Sequence, residues 1–349
     1  MYLSIIFPAF NEEGIIEEHV NQVAAYLENL LPGDKPFEIV MVDDGSSDAT
    51  PGIMDRMAGE NPQLRAVHHP RNLGRGRAIR TGFENAQGQY VVSLDADLSY
   101  APKHIERLLA PLESGEADVV LASAYHSEGS VRNVPFKRAF ISRVANMILA
   151  RSFPGGLHTV TCVVRGYRRE VTDTLELISD GKDFHLEILQ KAMLLGFRVA
   201  EIPAHLKWRP AKRTSGGGKG LSLGKLARMT CNHLFANFLF RPNLLLYLPA
   251  ALTVAIMLAI LGNVGWAFAD LLAQQPQDIA LSSQVFAALR KVILQAKVSF
   301  FLLGFCVLFL LQFGALTLLA NQQKHGKDEQ YILTCRTNAR LRKLLGERE

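Results

Sequence analysis

The 349-residue sequence contains only four cysteines, Cys162, Cys231, Cys306 and Cys335, and they are scattered without metal-ligand spacing. They are read as reduced, structural residues of a protein whose globular part faces the cytosol. His68, His69, His104 and His158 also lack ligand spacing and are read as structural. The apolar stretch Leu3–Phe10 has no basic residue before it and runs into Asn11-Glu12-Glu13, so it is not expected to be a secretory leader. Internal repeats and low-complexity blocks are missing. Charge is absent from two long runs, Leu244–Ala269 and Val298–Ala320, each longer than the roughly 20 residues that cross a bilayer. Soluble helices of that length keep a polar face, so membrane spans are preferred to buried core helices.

The charge that is present is unevenly placed. Of the net +5, a dense share precedes the first run, with Lys207, Arg209, Lys212, Arg213, Lys219, Lys225, Arg228 and Arg241. Lys324, Lys327, Arg336, Arg340, Arg342 and Lys343 follow the second run, whereas the connector holds only Arg290, Lys291 and Lys297. The positive-inside rule then places both flanks in the cytoplasm, as in a multi-pass protein of the cell inner (plasma) membrane. A nucleic-acid partner is disfavoured, because the basic residues hug the membrane and lack interleaved aromatics. The expected organisation is a cytosolic catalytic domain over 1–213, a juxtamembrane segment over 214–242, a hairpin of spans over 243–321 and a cytosolic basic tail over 322–349. The run Thr214–Gly220 reads as a mobile loop and Leu221–Phe240 as an amphipathic interfacial helix. Ile279–Lys297 reads as a second amphipathic stretch.

Strand and helix patterns alternate through the first two hundred residues, the pattern of a sheet built from βαβ units. Strands are expected at Leu3–Phe7, Glu38–Val42, Leu64–His68, Tyr90–Leu94, Asp118–Ala122, Thr159–Tyr167 and Arg198–Ile202. Helices are expected between them, at Glu13–Leu31, from Thr50 to about Asn61, at Gly76–Ala86, from Pro102 to about Glu113, at Pro135–Arg151 and at about Phe184–Leu195. Two acidic groups follow strands directly: Asp43-Asp44-Gly45-Ser46-Ser47-Asp48 and Asp95-Ala96-Asp97. The carboxyl ends of parallel strands are where open α/β sheets bind ligands. Two carboxylates one residue apart there suit a hard cation and, through it, a diphosphate. Asp48 and Thr50 are assigned to helix capping. The Gly74/Gly76 turn lacks the third glycine of a dinucleotide fingerprint and does not follow the first strand, so its arginines are assigned to the donor or the sheet edge.

Four segments in order carry a resemblance: Phe7-Pro8-Ala9-Phe10-Asn11-Glu12, Val42–Thr50, Asn72-Leu73-Gly74-Arg75-Gly76-Arg77-Ala78 and Leu94-Asp95-Ala96-Asp97-Leu98. Over roughly residues 1–235 the chain resembles inverting family 2 glycosyltransferases of the GT-A fold. With its two downstream spans it is similar to the polyisoprenyl-phosphate branch typified by dolichol-phosphate mannose synthase. The resemblance implies an α/β fold: a Rossmann-like, mostly parallel mixed sheet with flanking helices, followed by an amphipathic helix and two transmembrane helices. It implies inverting transfer of a sugar from a UDP- or GDP-hexose to a polyprenyl phosphate at the cytoplasmic membrane face, with Mg²⁺ or Mn²⁺. The partners are then a nucleotide-sugar donor, a lipid acceptor and the membrane, and a homo-oligomer is left open.

The same resemblance assigns roles. Pro8, Phe10, Asn11, Glu12, Asp43, Asp95, Ala96 and Arg209 border the donor nucleotide, and Asp95, Asp97 and Ser99 hold the metal. Arg138, with Ser142 one helical turn later, receives the acceptor phosphate, and Arg132 is a further candidate. Asp95, Asp97 and Arg138 are the catalytic set. Glu187, in Phe184-His185-Leu186-Glu187, matches an acidic helix of the family or pairs with a neighbouring arginine. A lipid phosphate, with a second pKa of about 6, is mostly dianionic at neutral pH, so no general base is required; a cationic cradle is. Two departures concern that cradle: Ala124 stands where relatives carry arginine, and Thr159 where they often carry aspartate. The rivals are a processive polysaccharide synthase, whose Gln-x-x-Arg-Trp motif is absent, and a non-catalytic membrane scaffold that kept the fold. A sugar nucleotidyltransferase would need a Gly-rich turn in place of Pro8–Glu12.

Overall fold

The computed structural model describes residues 1–151, 153–181, 183–208, 242–275 and 280–346. Arg209, the expected loop Thr214–Gly220 and the expected amphipathic helix Leu221–Phe240 lie outside the described residues. The chain forms two compact units, Met1–His233 with Gln330–Glu349, and Leu234–Glu329.

The first unit is a seven-stranded sheet in the order β3-β2-β1-β4-β7-β5-β8, with a two-stranded β6-β9 ribbon. The strands are β1 (Leu3–Ala9), β2 (Phe37–Asp43), β3 (Leu64–His68), β4 (Tyr90–Ser93), β5 (Val119–Ser123), β6 (Ser130–Arg132), β7 (Arg165–Arg168), β8 (Val199–Pro203) and β9 (His205–Lys207). All neighbours in the large sheet run parallel except β7, which is antiparallel to both β4 and β5. The helices are α1 (Ile16–Leu30), α2 (Thr50–Glu60), α3 (Arg75–Asn85), α4 (His104–Glu113), α5 (Phe136–Ala150), α6 (Arg169–Thr174) and α7 (Phe184–Leu194).

Central parallel strands are covered on both faces, which explains why β1 and β2 are apolar almost throughout. Alternate β1 side chains enter different cores: Leu3, Ile5 and Phe7 pack with α1 and α4, and Ile6 with Ile79 and Phe83 of α3. On α1 the buried residues Ile16, Val20, Val23 and Leu27 recur at helical spacing and form its core-facing stripe. After β1 the chain builds outward through β2 and β3, then crosses back so that β4 pairs with the other side of β1. The strand order therefore reverses between β1 and β4, a topological switch point.

The expected strand Thr159–Tyr167 is shorter than its pattern suggested; only Arg165–Arg168 pairs in the sheet. The fully buried Arg165 donates to the carbonyls of Val160 (2.7 Å) and Cys162 (2.9 Å). Asn146 of α5 accepts from the amides of Val160 (3.0 Å) and Thr161 (3.2 Å). Side chains thus satisfy backbone groups that a ladder would otherwise hold.

The rim where the parallel strands begin is closed by paired carboxylates. Glu38 accepts from Ser4 Oγ at 2.6 Å and from the Gln87 amide at 2.7 Å. Asp118 accepts three bonds from Arg198, from its amide, Nε and Nη2, at 2.9, 3.0 and 2.9 Å. Those Arg198 bonds hold the Asp118 carboxyl below the usual carboxylate range.

The second unit contains α8 (Pro242–Ala273), α9 (Leu281–Gln295) and the first part of α10 (Lys297–Gly346). Two of these helices are long and apolar enough to cross a membrane. Apolar side chains such as Leu252, Leu258 and Trp266 on α8 and Leu308, Leu311 and Leu318 on α10 are exposed rather than packed into a core. The helix α10 does not stop at Ala320 but continues to Gly346, and from Gln330 it belongs to the first unit.

Candidate active site

The carboxyl ends of β1, β2 and β4 open onto one cleft of about 640 Å³. The exit of β1 contributes Pro8, Ala9, Phe10 and Glu12, and the end of β2 contributes Asp44. The segment between β3 and α3 brings Asn72 and Gly74, the start of α3 brings Arg75, and the exit of β4 brings Asp95, Ala96 and Asp97. Arg138 and Trp208 line the cleft as well.

A tight turn presents the two aspartates. The Leu98 amide donates to the Asp95 carbonyl at 3.0 Å, and the Ser99 amide donates to Asp97 Oδ1 at 2.9 Å. Leu98 adopts φ 45° while its side chain is buried in the core. A left-handed leucine costs on the order of 1–3 kcal/mol, and such strain gathers at functional sites. His19 of α1 holds the Ala96 carbonyl at 2.7 Å, so the turn is braced from beneath.

The electrostatics of this turn differ from those at the other rim. Burial pushes the Asp95 carboxyl up to about 6, neighbouring Asp97 adds to the rise, and Arg75 opposes it. Arg75 Nη1 lies 3.3 Å from Asp95 Oδ1. Two carboxylates crowded together and opposed mainly by one half-exposed arginine make a site that favours an added cation.

Asp43 and Asp44 divide their tasks. Asp43 is buried, accepts the Ser46 amide at 3.0 Å, and does not line the cleft. Asp44 does line it, and accepts the amides of Leu73 and Gly74, both at 2.9 Å, together with His69 Nδ1 at 2.9 Å. Asn11, at φ 54°, is likewise drawn away from the cleft: its Oδ1 accepts the Ser47 amide at 2.9 Å and its own amide donates to Ser46 Oγ at 2.9 Å. Asp48 accepts the amides of Thr50 (3.0 Å) and Glu13 (3.2 Å), tying the start of α2 to the β1 exit.

Arg138 sits in the first turn of α5, with its guanidinium 5.6 Å from the Trp208 ring centroid. The same helix exposes Phe136 and Phe140, whose rings stack at 6.3 Å. Ser142 is one turn further along, Arg132 is on β6, and Ser99 is buried beneath the aspartate turn; none of the three lines the cleft. Thr159 bonds Ser123 Oγ at 2.8 Å and the Tyr125 amide at 3.2 Å, on either side of the buried Ala124. Glu187 pairs with Lys191 at 2.6 Å rather than with an arginine.

The cleft therefore unites Pro8, Phe10, Glu12, Asp95, Ala96, Asp97 and Arg138, and leaves Asn11, Asp43, Ser99, Ser142 and Arg132 outside its lining. Asp44, read from sequence only as part of the acidic group after the second strand, joins it, and so do Asn72 and Trp208, to which no role was assigned. Period-two alternation says that Asp43 and Asp44 face opposite ways, but β2 is buried on both faces, so the pattern does not say which of them meets the cleft. Among the described residues, no group of three or more His, Cys, Asp or Glu side chains forms a metal cluster.

Residues 4–176 match the profile described as Glycosyl transferase family 2. The chain is 32% identical over 206 residues to the polyprenol monophosphomannose synthase of Mycolicibacterium smegmatis, covering 57% of this chain and 75% of that one. It is 35% identical over 212 residues to the glycosyltransferase AglD of Haloferax volcanii, covering 60% of this chain but only 33% of AglD. The match to the undecaprenyl-phosphate 4-deoxy-4-formamido-L-arabinose transferase of Salmonella paratyphi A is 30% over 204 residues, with 58% and 59% covered. Among solved structures, the glucosyl-3-phosphoglycerate synthase of Mycobacterium tuberculosis superposes with a TM-score of 0.50 at 20% identity, covering 68% of this chain and 77% of that one. That last likeness concerns the fold.

Proposed function

The chain belongs to glycosyl transferase family 2, and from that premise we propose that it transfers a sugar from a UDP- or GDP-hexose to a polyprenyl phosphate, with inversion, at the cytoplasmic face of a membrane. The observation that carries this reading is one cleft in which Asp95 and Asp97 share a wall system with Arg138. The carboxylates suit a cation and a nucleoside diphosphate; the arginine suits a second phosphate. Two of the relatives are named for polyprenol or undecaprenyl phosphate chemistry, which favours a lipid acceptor.

The donor set fits Mg²⁺ or Mn²⁺. Among the described residues no third His, Cys, Asp or Glu joins the two carboxylates, which suits an ion that would take further ligands from substrate phosphate oxygens and water. Such an ion would stabilise charge on the departing nucleoside diphosphate. The raised Asp95 carboxyl is the structural cue, because a proton or a cation relieves the same crowding. The M. tuberculosis neighbour was solved with Mn²⁺ and UDP, which makes that pair the first to test.

The chain's own residues do the remainder. Pro8, Phe10 and Glu12 wall the nucleoside side, and Asp44 fixes the Leu73-Gly74 backbone facing it. Arg138 orients the acceptor phosphate oxygen toward the sugar's anomeric carbon. The new C–O bond forms as the bond to the diphosphate breaks on the opposite face. No proton is transferred, because the attacking oxygen is already anionic. Exposed Phe136 and Phe140 on Arg138's own helix suit a lipid surface, with the phosphate reached at its edge.

The test uses membranes containing the full chain, a panel of radiolabelled nucleotide sugars and undecaprenyl phosphate. A labelled, organic-extractable sugar lipid formed with one donor supports the reading. Label incorporated only into a polymer, or no label at all with any donor, contradicts it.

A further inference from the structure

The last part of α10 makes specific contacts within the first unit that neither the sheet nor the proposed chemistry requires. Asn321–Gln330 carry no large apolar side chain, and beyond them the helix reaches the segment between α6 and α7. Tyr331 Oη accepts the Glu176 amide at 3.2 Å, and Asn338 Nδ2 donates to Glu176 Oε1 at 3.0 Å. Lys191 Nζ stands 4.7 Å from the Tyr331 ring centroid, over its face.

These contacts converge on a largely buried ion pair. Lys191 Nζ donates to the Glu176 carbonyl and to Glu187 Oε1, both at 2.6 Å. Glu187 then accepts the amides of Ile178 at 2.9 Å and Ser179 at 2.8 Å. Burial pushes the Glu187 carboxyl up, but Lys191 and those two amides outweigh it, and the group lies below its usual range. It is therefore a stable anion that anchors the loop Leu177–Asp180.

That loop in turn supports the donor side of the cleft. The Asp180 carbonyl accepts the Gly76 amide at 2.8 Å, and Arg80 Nη1 donates to the Leu177 carbonyl at 2.6 Å. The approach leaves no room for a side chain: a Cβ on Gly74 would lie 2.5 Å from the Asp180 carbonyl oxygen, and one on Gly76 2.6 Å from that of Ser179. Arg75, between these glycines, is the residue that meets Asp95.

We infer that Tyr331 and Asn338 are positioning residues for the donor site, acting through Lys191, Glu187 and the Leu177–Asp180 loop to hold the Gly74-Arg75-Gly76 turn against Asp95. The functional half of this inference rests on the proposed reading of the cleft; the mechanical half does not. Ordering a tail helix against the globular unit is thus coupled to the affinity of the site for a nucleoside diphosphate.

The experiment compares full-length wild type with Tyr331→Ala/Asn338→Ala and with the milder Asn338→Ala, by amide hydrogen exchange and by titration of UDP and GDP with Mn²⁺. In the double variant the Ile178, Ser179 and Gly76 amides should exchange about tenfold faster, the scale of losing one net hydrogen bond's worth of local protection. Exchange in β1 should be unchanged, and the dissociation constant for the bound nucleotide should rise several-fold. Restoring the tyrosine alone, as in Asn338→Ala, should return most of the protection. Unaltered exchange at Gly76 in the double variant overturns the inference, and so does faster exchange with an unchanged dissociation constant. If wild type binds neither UDP nor GDP, the donor reading fails, and the Gly76 exchange rate still decides whether the tail positions the turn.

Discussion

The two rims of the same sheet treat their carboxylates in opposite ways. At the rim where the strands begin, Glu38 and Asp118 are surrounded by donors, and Arg198 depresses the Asp118 carboxyl. At the rim where β1, β2 and β4 end, burial and Asp97 raise Asp95 to about 6 against a single arginine. Paired acids at the first rim are structural, closing strand ends that would otherwise present unsatisfied groups. Crowded acids at the second are costly to the fold alone, as the proposed cation site there requires.

The largest expected effect is at the second rim. Asp97→Ala should reduce sugar transfer by a hundredfold to a thousandfold, roughly the scale of losing a preorganised electrostatic contact, with little change in the denaturation midpoint. A wild-type rate in that variant breaks the comparison. Arg138→Ala should lower transfer by about tenfold to a hundredfold, as expected for one charge-assisted phosphate contact, and kinetics against the lipid phosphate should show the loss there first. At the opposite rim, Glu38→Ala removes the acceptor of the Ser4 hydroxyl and the closer of the Gln87 amide's two acceptors, and should cost about 1–3 kcal/mol of stability. Denaturant unfolding checks this, and nucleotide affinity measured below the transition should be unaltered.

Proton linkage gives the sharpest sign. Asp118 has a folded value below its ordinary 3.8, so its stabilisation is present above that value and is lost as pH falls through the depressed one. Asp95 goes the other way: raised from 3.8 to about 6, it favours the folded state when protonated, and that advantage fades as pH rises from about 4 to 6. Unfolding without divalent cation should therefore show stability falling across that window in wild type, a slope that Asp95→Asn removes. Added Mn²⁺ should flatten the same slope.

Much of this contrast was legible in the sequence. The strand ends at Val42 and Leu94 follow from apolar runs broken by acids, and they place Asp43-Asp44 and Asp95–Asp97 at the carboxyl rim without any long-range information. Which of Asp43 and Asp44 meets the cleft depends on where β2 ends relative to Ala9, a register that pairing sets. The run Thr159–Tyr167 has β-prone composition, but Asn146 and the buried Arg165 capture its backbone groups from distant or unforeseen directions. Glu187 was legible as an acidic helix residue with Lys191 one turn on; the contacts of Glu176 were not, because Tyr331 and Asn338 reach it across more than a hundred residues of chain.

Titrating UDP and GDP into the full-length protein with and without Mn²⁺, for wild type and Asp97→Ala, tests the claim about the second rim most directly. One nucleotide binding to wild type only when Mn²⁺ is present, and not to Asp97→Ala, is the expected result. Equal binding without the cation, or by the variant, would contradict it.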